Sequence, residues 1–287
     1  MTDGGDRDPY SYEPFTRHGF YVDVNRRLVR RTVELLLATR GDRPTSVVDL
    51  GCGTGALTGI LLEELRDRRV ASQITGVDPS SAALAIARRR VAEWEADVRL
   101  VLGDATELTA LAPVDAVFFC NAIHLVPDKD EVVASIARAL LPGGLLAMNS
   151  AFFAGTYAPG SEVFYRLWTV HALRRLHREH PEVRLDHDHR APAMDWLSPE
   201  EYGVLLRRHG LEVTDSELDE VQMTLRSFQD IGRYRLFIEG ALPGAPLAAG
   251  AEALEHGAAE AFEELDLRSV PRRWLQLVAR AGPPIAS

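Results

Sequence analysis

Apolar and polar positions fall into alternating blocks along the first half of the chain. From Phe20 to Leu37, apolar residues recur near helical spacing at Phe20, Val24, Leu28, Val29, Leu35 and Leu36, which predicts an amphipathic helix. Gly41-Asp42-Arg43-Pro44 breaks it. Val47–Leu50 then reads as a near-continuous apolar strand, the pattern of a parallel strand covered on both faces. A turn containing Gly51, Gly53 and Gly55 follows, and a helix leaves that turn and runs to about Arg69. Strands are predicted at Ile74–Asp78, Val98–Leu102, Val114–Cys120 and Leu145–Asn149, with helices over Ser81–Glu95 and Lys129–Leu140 between them. Strands alternating with helices at short spacing predict an α/β fold, a doubly wound, mostly parallel sheet with right-handed crossovers. A ligand site is then expected at the carboxyl ends of the strands.

Beyond residue 150 the rhythm changes. Phe164–Arg178 reads as an aromatic-rich helix carrying Tyr165, Trp168 and His171, part of an insertion expected to cover the site. Ser198-Pro199-Glu200-Glu201 is a helix start: a serine cap, proline at the first helical position and acids in the first turn. That helix ends at Gly210, and Leu211–Thr214 begins a sixth strand. A second excursion spans 218–272, with Val221–Leu225 extended and helices over Phe228–Glu239 and Glu252–Leu265. Trp274–Ala279 reads as the final strand. The expected organisation is an N-terminal helical lid (1–40), a cofactor-binding α/β core (41–150), a helical substrate-covering insertion (151–198), and the rest of the core (199–287) interrupted by helices within 218–272.

Composition narrows the function classes. The chain has 287 residues, enough for a large core, and a formal net charge of -10, which weakens any general case for nucleic acid or anionic membrane as a partner. No apolar run is long enough to span a membrane, and the polar N-terminus has no signal-peptide pattern. The two cysteines, Cys52 and Cys120, suggest no disulfide framework, so a reducing, cytoplasmic location is expected. The expected partner is a small-molecule substrate, with a homodimer left open. Arg26, Arg27, Arg30 and Arg31 read as a solvated helix face, with an electropositive rim as the alternative.

The chemistry-bearing pattern begins at the glycine turn. Glycines allow a tight turn and bring bare backbone close to a ligand. The spacing is GxGxG; a dinucleotide fingerprint would read GxGxxG, and a P-loop would need Lys-Ser/Thr after its last glycine. Asp49 lies just before the first glycine, where a carboxylate can receive a cationic amine or restrain the loop. Asp78 ends the second strand, where it can accept both hydroxyls of a ribose. Asp104, with Ala105, ends the third, where the pair can read an adenine edge.

Val47-Val48-Asp49-Leu50-Gly51-Cys52-Gly53-Thr54-Gly55 resembles the first motif of the class I S-adenosylmethionine-dependent methyltransferases. The resemblance continues through Gly76-Val77-Asp78-Pro79-Ser80, Gly103-Asp104-Ala105, Asp115–Phe119 and Leu141–Leu145. It implies a Rossmann-like sheet of seven strands with the last antiparallel and inserted beside the fifth. It also implies S-adenosyl-L-methionine as cofactor. The loop with Gly51, Cys52, Gly53 and Gly55 would hold the methionine part, Asp78 with Pro79 the ribose, and Asp104 with Ala105 the adenine. Asn121 would contact the cofactor's amino group or the forming pocket.

The expected reaction is methyl transfer to a small-molecule acceptor, a specialised metabolite, by in-line displacement. The alternatives are a cyclase or lyase using the same cofactor, and a non-catalytic binding protein on the same fold. An oxygen or nitrogen acceptor can need a base. His124, just past the fourth strand, is the first candidate, against a structural histidine that packs the loop. Tyr21, Tyr165 and His171, with Trp168, form a second tier, for which ordinary packing is the cheaper account. His171, His177, His180, His187 and His189 are dense enough to raise a metal site, but the spacing of Asp186-His187-Asp188-His189 suits a solvated connection better, so no metal is expected.

Overall fold

In the computed structural model of the chain, the residues described are 8–40, 43–94, 97–105, 108, 111, 113–186 and 195–283. They gather into two compact units. One comprises 19–156, 195–219 and 273–283; the other comprises 8–18, 157–186 and 220–272.

The first unit is built on a seven-stranded sheet of order β3-β2-β1-β4-β5-β7-β6. Its strands are β1 (Thr45–Leu50), β2 (Ser72–Asp78), β3 (Asp97–Leu102), β4 (Val114–Cys120), β5 (Leu140–Ser150), β6 (Leu211–Met223) and β7 (Val270–Ala281). The neighbours from β3 to β5 are parallel. β7 pairs antiparallel with β5, with Met148 opposite Leu277. The predicted sheet, including the antiparallel strand beside the fifth, is therefore the observed one.

Strand alternation explains the two layers of helices. Val47, Phe118, Ala147 and Val278 face a cluster built by Leu28, Val33 and Leu36 of α1 (Gly19–Arg40) and Leu57, Leu61 and Leu65 of α2 (Ala56–Asp67). Their neighbours Val48, Val117, Met148 and Leu277 point the other way, into Val132, Val133 and Ile136 of α4 (Lys129–Ala139) and Tyr202 and Leu206 of α6 (Pro199–Arg208). Burial on both faces is what a parallel sheet needs to be stable. α6 starts as its sequence predicts, with a reciprocal capping box between Ser198 and Glu201. The remaining helix of this unit, α3 (Ser81–Val91), is capped by Ser80, whose side chain accepts from the Ala83 amide.

In the second unit, α5 (Glu162–Glu179) packs along α9 (Leu247–Glu264), beside the shorter α7 (Leu225–Gly232) and α8 (Arg235–Ala241). Trp168 donates from Nε1 to the Leu254 carbonyl at 2.7 Å. Its indole joins Phe164, Phe228 and Phe262 in a cluster of rings. At Gly257 a Cβ would meet the Ala172 amide nitrogen at 2.6 Å, so the two helices approach too closely there for any side chain.

Several boundaries differ from the sequence expectation. The segments predicted separately at Leu211–Thr214 and Val221–Leu225 are parts of one strand, β6, which lies at the sheet edge. Its charged middle hides a period-two pattern, and charge on an edge strand opposes pairing with other chains. The single helix predicted over Phe228–Glu239 is two, α7 and α8. The Ala/Gly-rich stretch before Glu252 already belongs to α9, where small residues permit close packing. The basic face of α1 is not an electropositive rim. Arg26 pairs with Glu63 at 2.6 Å, Arg27 with Asp219 at 3.0 Å, Arg30 with Glu64 at 3.3 Å and Arg31 with Asp215 at 3.2 Å. Acids of α2 and β6 balance those charges.

Candidate functional site

The turn after β1 passes through Gly51, Gly53 and Gly55 with φ of +68°, +54° and +78°. L side chains disfavour that region. Two of these glycines have distinct roles. At Gly55 a Cβ would sit 3.2 Å from the Ala87 Cβ of α3, so the turn is pressed against a helix. At Gly53 nothing lies within 4 Å of where a Cβ would be, so bare backbone borders open space. Arg90 of α3 adds a tie, donating to the Thr54 carbonyl at 2.9 Å.

Asp78 closes the turn from β2. Its Oδ2 accepts from the Gly53 amide and its Oδ1 from the Ser80 amide, both at 2.8 Å. A carboxylate has about four lone-pair sites, so each oxygen keeps one for a ligand hydroxyl. Burial raises its pKa, and the amides of Ser80 and Gly53 oppose the rise. Asp49 is 1% exposed, and its Oδ2 accepts from the Thr58 hydroxyl at 2.6 Å. Burial pushes Asp49 up to about 7; the Thr58 hydroxyl opposes this and the charge of Asp78 adds to it. Burial also raises the thiols of Cys52 and Cys120, aided by Asp49. Both stay neutral and make poor nucleophiles.

The next strand ends continue the row. Leu102 of β3 is the register partner of Asp78, which puts Asp104 and Ala105 just past that neighbouring end, and the Gly103 amide donates to the Asp78 carbonyl at 3.2 Å. Pro79 sits in the turn between Asp78 and the α3 cap Ser80. Asn121, just beyond β4, has a left-handed φ of +54°, a conformation Asn tolerates better than most residues. Its amide donates to the Asn149 carbonyl at 2.9 Å and its Oδ1 accepts from Trp274 Nε1 at 2.9 Å.

From there a buried amide chain reaches α1. Asn149 donates from Nδ2 to Asn25 Oδ1 at 2.9 Å, and Asn25 donates to the Tyr21 carbonyl at 2.7 Å. Asn25 and Asn149 are fully buried. Tyr21 is thereby held beside Asp49, Cys120, Asn121 and Arg90, and burial keeps its hydroxyl protonated well above the ordinary tyrosine range. Of this assembly the sequence reading named Tyr21 and Asn121 and missed Asn25 and Asn149. The available signal was an amide on the apolar face of a helix and another in an apolar strand, since buried polar groups require partners.

His124 lies in a short 3-10 turn, Ile123–Leu125, and is buried. Its ring stacks on Phe152 with centroids 4.3 Å apart. Its Nδ1 is 3.3 Å from Ser150 Oγ, whose own hydroxyl donates to the Phe152 carbonyl. The direction of the His124–Ser150 bond follows the imidazole tautomer.

Tyr165 and His171 belong to the second unit. Both ring nitrogens of His171 are engaged, Nε2 with Glu264 at 2.8 Å and Nδ1 with Glu260 at 3.1 Å, which ties α5 to α9. Among the described residues no group of three or more His, Cys, Asp or Glu side chains is arranged to hold a metal ion. His187 and His189 lie outside the described residues. Among the described residues no helix is long and apolar enough to cross a membrane.

Residues 47–144 match the family model of a methyltransferase domain. This interval contains the glycine turn, Asp78, Asp104, Asn121 and His124. This match agrees with the resemblance of the chain's motifs to the class I S-adenosylmethionine-dependent methyltransferases. Their cofactor is S-adenosylmethionine. A trans-aconitate 2-methyltransferase of Acidovorax sp. is 35% identical over 120 residues, covering 42% of this chain and 43% of its own. A carboxy-S-adenosyl-L-methionine synthase of Campylobacter curvus is 30% identical over 131 residues, covering 45% of this chain and 52% of its own. The chain thus spans about half the length of these curated relatives. A crystal structure of a putative sarcosine dimethylglycine methyltransferase from Galdieria sulphuraria shares the fold over 95% of this chain and 93% of its own. Its TM-score is 0.56 and its identity 15%.

Proposed function

We propose that the chain transfers a methyl group from S-adenosylmethionine to a small-molecule acceptor, a specialised metabolite, by in-line displacement. The observation that carries this is the carboxylate of Asp78, fixed by the Gly53 and Ser80 amides beside a glycine turn whose backbone is open at Gly53. That donor set fits a ribose on a bare-backbone cradle. Asp78 and Pro79 would hold the ribose, Asp104 and Ala105 the adenine, and Asp49 with the turn Gly51-Cys52-Gly53-Thr54-Gly55 and Asn121 the amino-acid end.

When bound, the sulfonium supplies an electrophilic methyl carbon. The chain's own residues then orient the acceptor, exclude water and manage its proton. Tyr21 keeps its proton because burial raises the pKa of its hydroxyl, which is hydrogen-bonded to the Asn121 side chain. His124 serves as the base toward an acceptor that must lose a proton. Tyr165 and His171 are retained as acceptor-side residues, with His171 acting through its bonds to the two glutamates rather than as a base.

A second reading, a reaction of the same cofactor other than methyl transfer, is favoured by one relative being named carboxy-S-adenosyl-L-methionine synthase. The test is incubation with labelled cofactor and a broad acceptor panel. S-adenosylhomocysteine formed together with a labelled acceptor supports methyl transfer. Methylthioadenosine released without an acceptor, or the cofactor converted to a carboxylated form, supports the second reading. Absence of cofactor binding by calorimetry would leave a binding protein and sink both.

A further inference from the structure

His124 sits in a closed ring of contacts that the cofactor cradle does not use. Its imidazole stacks on the Phe152 ring with centroids 4.3 Å apart and planes inclined by 28°. Its Nδ1 is 3.3 Å from Ser150 Oγ. The stack sets the plane of the imidazole, and the Ser150 contact sets its rotation within that plane, so the orientation of the ring is fixed. Phe152 enters both constraints. Its ring makes the stack, and its main chain holds Ser150 Oγ, which accepts from the Phe152 amide at 2.9 Å and donates to the Phe152 carbonyl at 3.1 Å.

Trp196 in turn meets the Phe152 ring edge to face, with centroids 6.1 Å apart and planes inclined by 65°. Aromatic quadrupoles favour that arrangement over a face-to-face one. The chain on either side of Trp196 is anchored. The Leu197 carbonyl accepts from the Ala154 amide at 3.0 Å, which ties the segment to the turn carrying Phe152. Asp195 faces the ammonium of Lys129, with Oδ2 and Nζ 3.9 Å apart. Lys129 is buried, and its Nζ donates to the Val126 carbonyl at 3.1 Å. Val126 caps the 3-10 turn that carries His124. The contacts therefore run from His124 through Phe152, Trp196, Asp195, Lys129 and Val126 back to His124, all within the first unit. A histidine that only filled space would need burial and one hydrogen bond. Control of direction matters for proton transfer, because a base must lie within hydrogen-bond reach of the proton it takes.

We propose that Trp196 is a positioning residue for His124: through Phe152 it holds the imidazole in the orientation from which it takes the acceptor's proton. This rests on the reading of His124 as the base and names the residue that aims it. The Asp195 side chain is 72% exposed, so solvent screens its pairing with Lys129. The aromatic contact is the stronger fastening and the place to cut the ring of contacts.

The test uses the full chain and reads the imidazole directly by NMR, without turnover. Isotopically labelled histidine is incorporated, and the ring nitrogens of His124 are assigned by their loss in His124→Gln. At about pH 8, where an ordinary imidazole is neutral, their shifts give the ratio of the two tautomers. The wild type should show one dominant tautomer, because Ser150 meets a single ring nitrogen. Trp196→Leu keeps apolar bulk but removes the ring edge, and should change the ratio about threefold or more. Trp196→Phe should restore it to within about twofold of wild type. Phe152→Leu should change it at least as much as Trp196→Leu. Trp196 lies in a loop and is only partly buried, and Trp196→Met provides a second cut should Trp196→Leu fold poorly. S-adenosylhomocysteine affinity, read by calorimetry, should stay within about twofold in each variant, which reports an intact fold. An unchanged ratio in Trp196→Leu or Trp196→Met, or an equal change in Trp196→Phe, would overturn the proposal. Failure of S-adenosylhomocysteine to bind the wild type would instead refute the cofactor reading. Wild-type methyl transfer by His124→Gln would refute the base reading, while the tautomer ratio still decides whether Trp196 aims the ring.

Discussion

Asp49 offers the sharpest test of the cofactor cradle, because its burial sets stability against function. Its carboxyl is pushed from 3.8 up to about 7, mainly by burial. One pKa unit corresponds to 1.36 kcal/mol, so keeping Asp49 ionised in the empty protein costs up to about 4 kcal/mol. The folded pKa lies above the unfolded value. Between about pH 4 and 7 the native state therefore binds more protons than the unfolded chain, and stability falls as pH rises across that window. A cation set against Asp49 reverses the preference. Binding the cofactor below pH 7 should release a proton, with affinity falling up to about tenfold per pH unit. Asp49→Asn keeps the shape and an oxygen to accept from Thr58. At pH 8 the cofactor-free variant should be more stable than wild type by about 1–3 kcal/mol in urea denaturation, and this gain should shrink as pH falls and vanish by about pH 4. Its cofactor affinity at pH 8 should drop at least tenfold and stay flat from pH 6 to 8. A variant no more stable than wild type at pH 8, or one that keeps the wild-type pH slope of binding, would refute this account of Asp49.

The other predictions concern the turn, the amide chain and the second unit. Gly53→Ala should lose about 1–2 kcal/mol for its left-handed φ and weaken cofactor binding about tenfold, because its new methyl enters the open side of the turn; calorimetry and denaturation read the two effects separately. Asn149→Ala strands the Asn25 side chain in the core and should cost about 1–3 kcal/mol in urea denaturation. It should also reduce cofactor affinity, since Tyr21 loses its anchor. Gly257→Ala should lower the melting temperature, overpacking costing about 1–3 kcal/mol, although the same change in an exposed helix would stabilise by about 1 kcal/mol. An unchanged or raised melting temperature would contradict the close approach of α5 and α9.

Much of the first unit was legible in the sequence because its signals are local. Val47–Leu50 is apolar enough to be a buried strand by itself, and Gly51, Gly53 and Gly55 announce a turn that side chains could not make. Asp78 follows from its place at a strand end. The strand β4 and the inserted antiparallel β7 were likewise anticipated, the latter through the family resemblance. What failed depends on neighbours. β6 is an edge strand whose acids partner Arg27 and Arg31 of α1, while acids of α2 partner Arg26 and Arg30, so neither its length nor those pairings can be read from periodicity. Ala249, Gly250 and Ala251 look like a linker until α9 is seen packed on its neighbours.

The candidate site divides along the same physical line. The proposed cofactor contacts draw on main-chain amides and on carboxylates at strand ends, and sequence spacing alone fixes where these fall. Asn25 and Asn149 are 124 positions apart and meet only because α1 packs against β5. Tyr165 and Arg272 are also far apart in sequence, and an aromatic residue on a helix looks the same in sequence whether its hydroxyl is bonded or not. Only the fold shows that Tyr165 Oη is buried without a partner beside a cation. The features that would choose an acceptor are therefore tertiary by nature. Proteins that share the methyltransferase domain matched at 47–144 can share the cofactor machinery while differing in the residues that hold the acceptor.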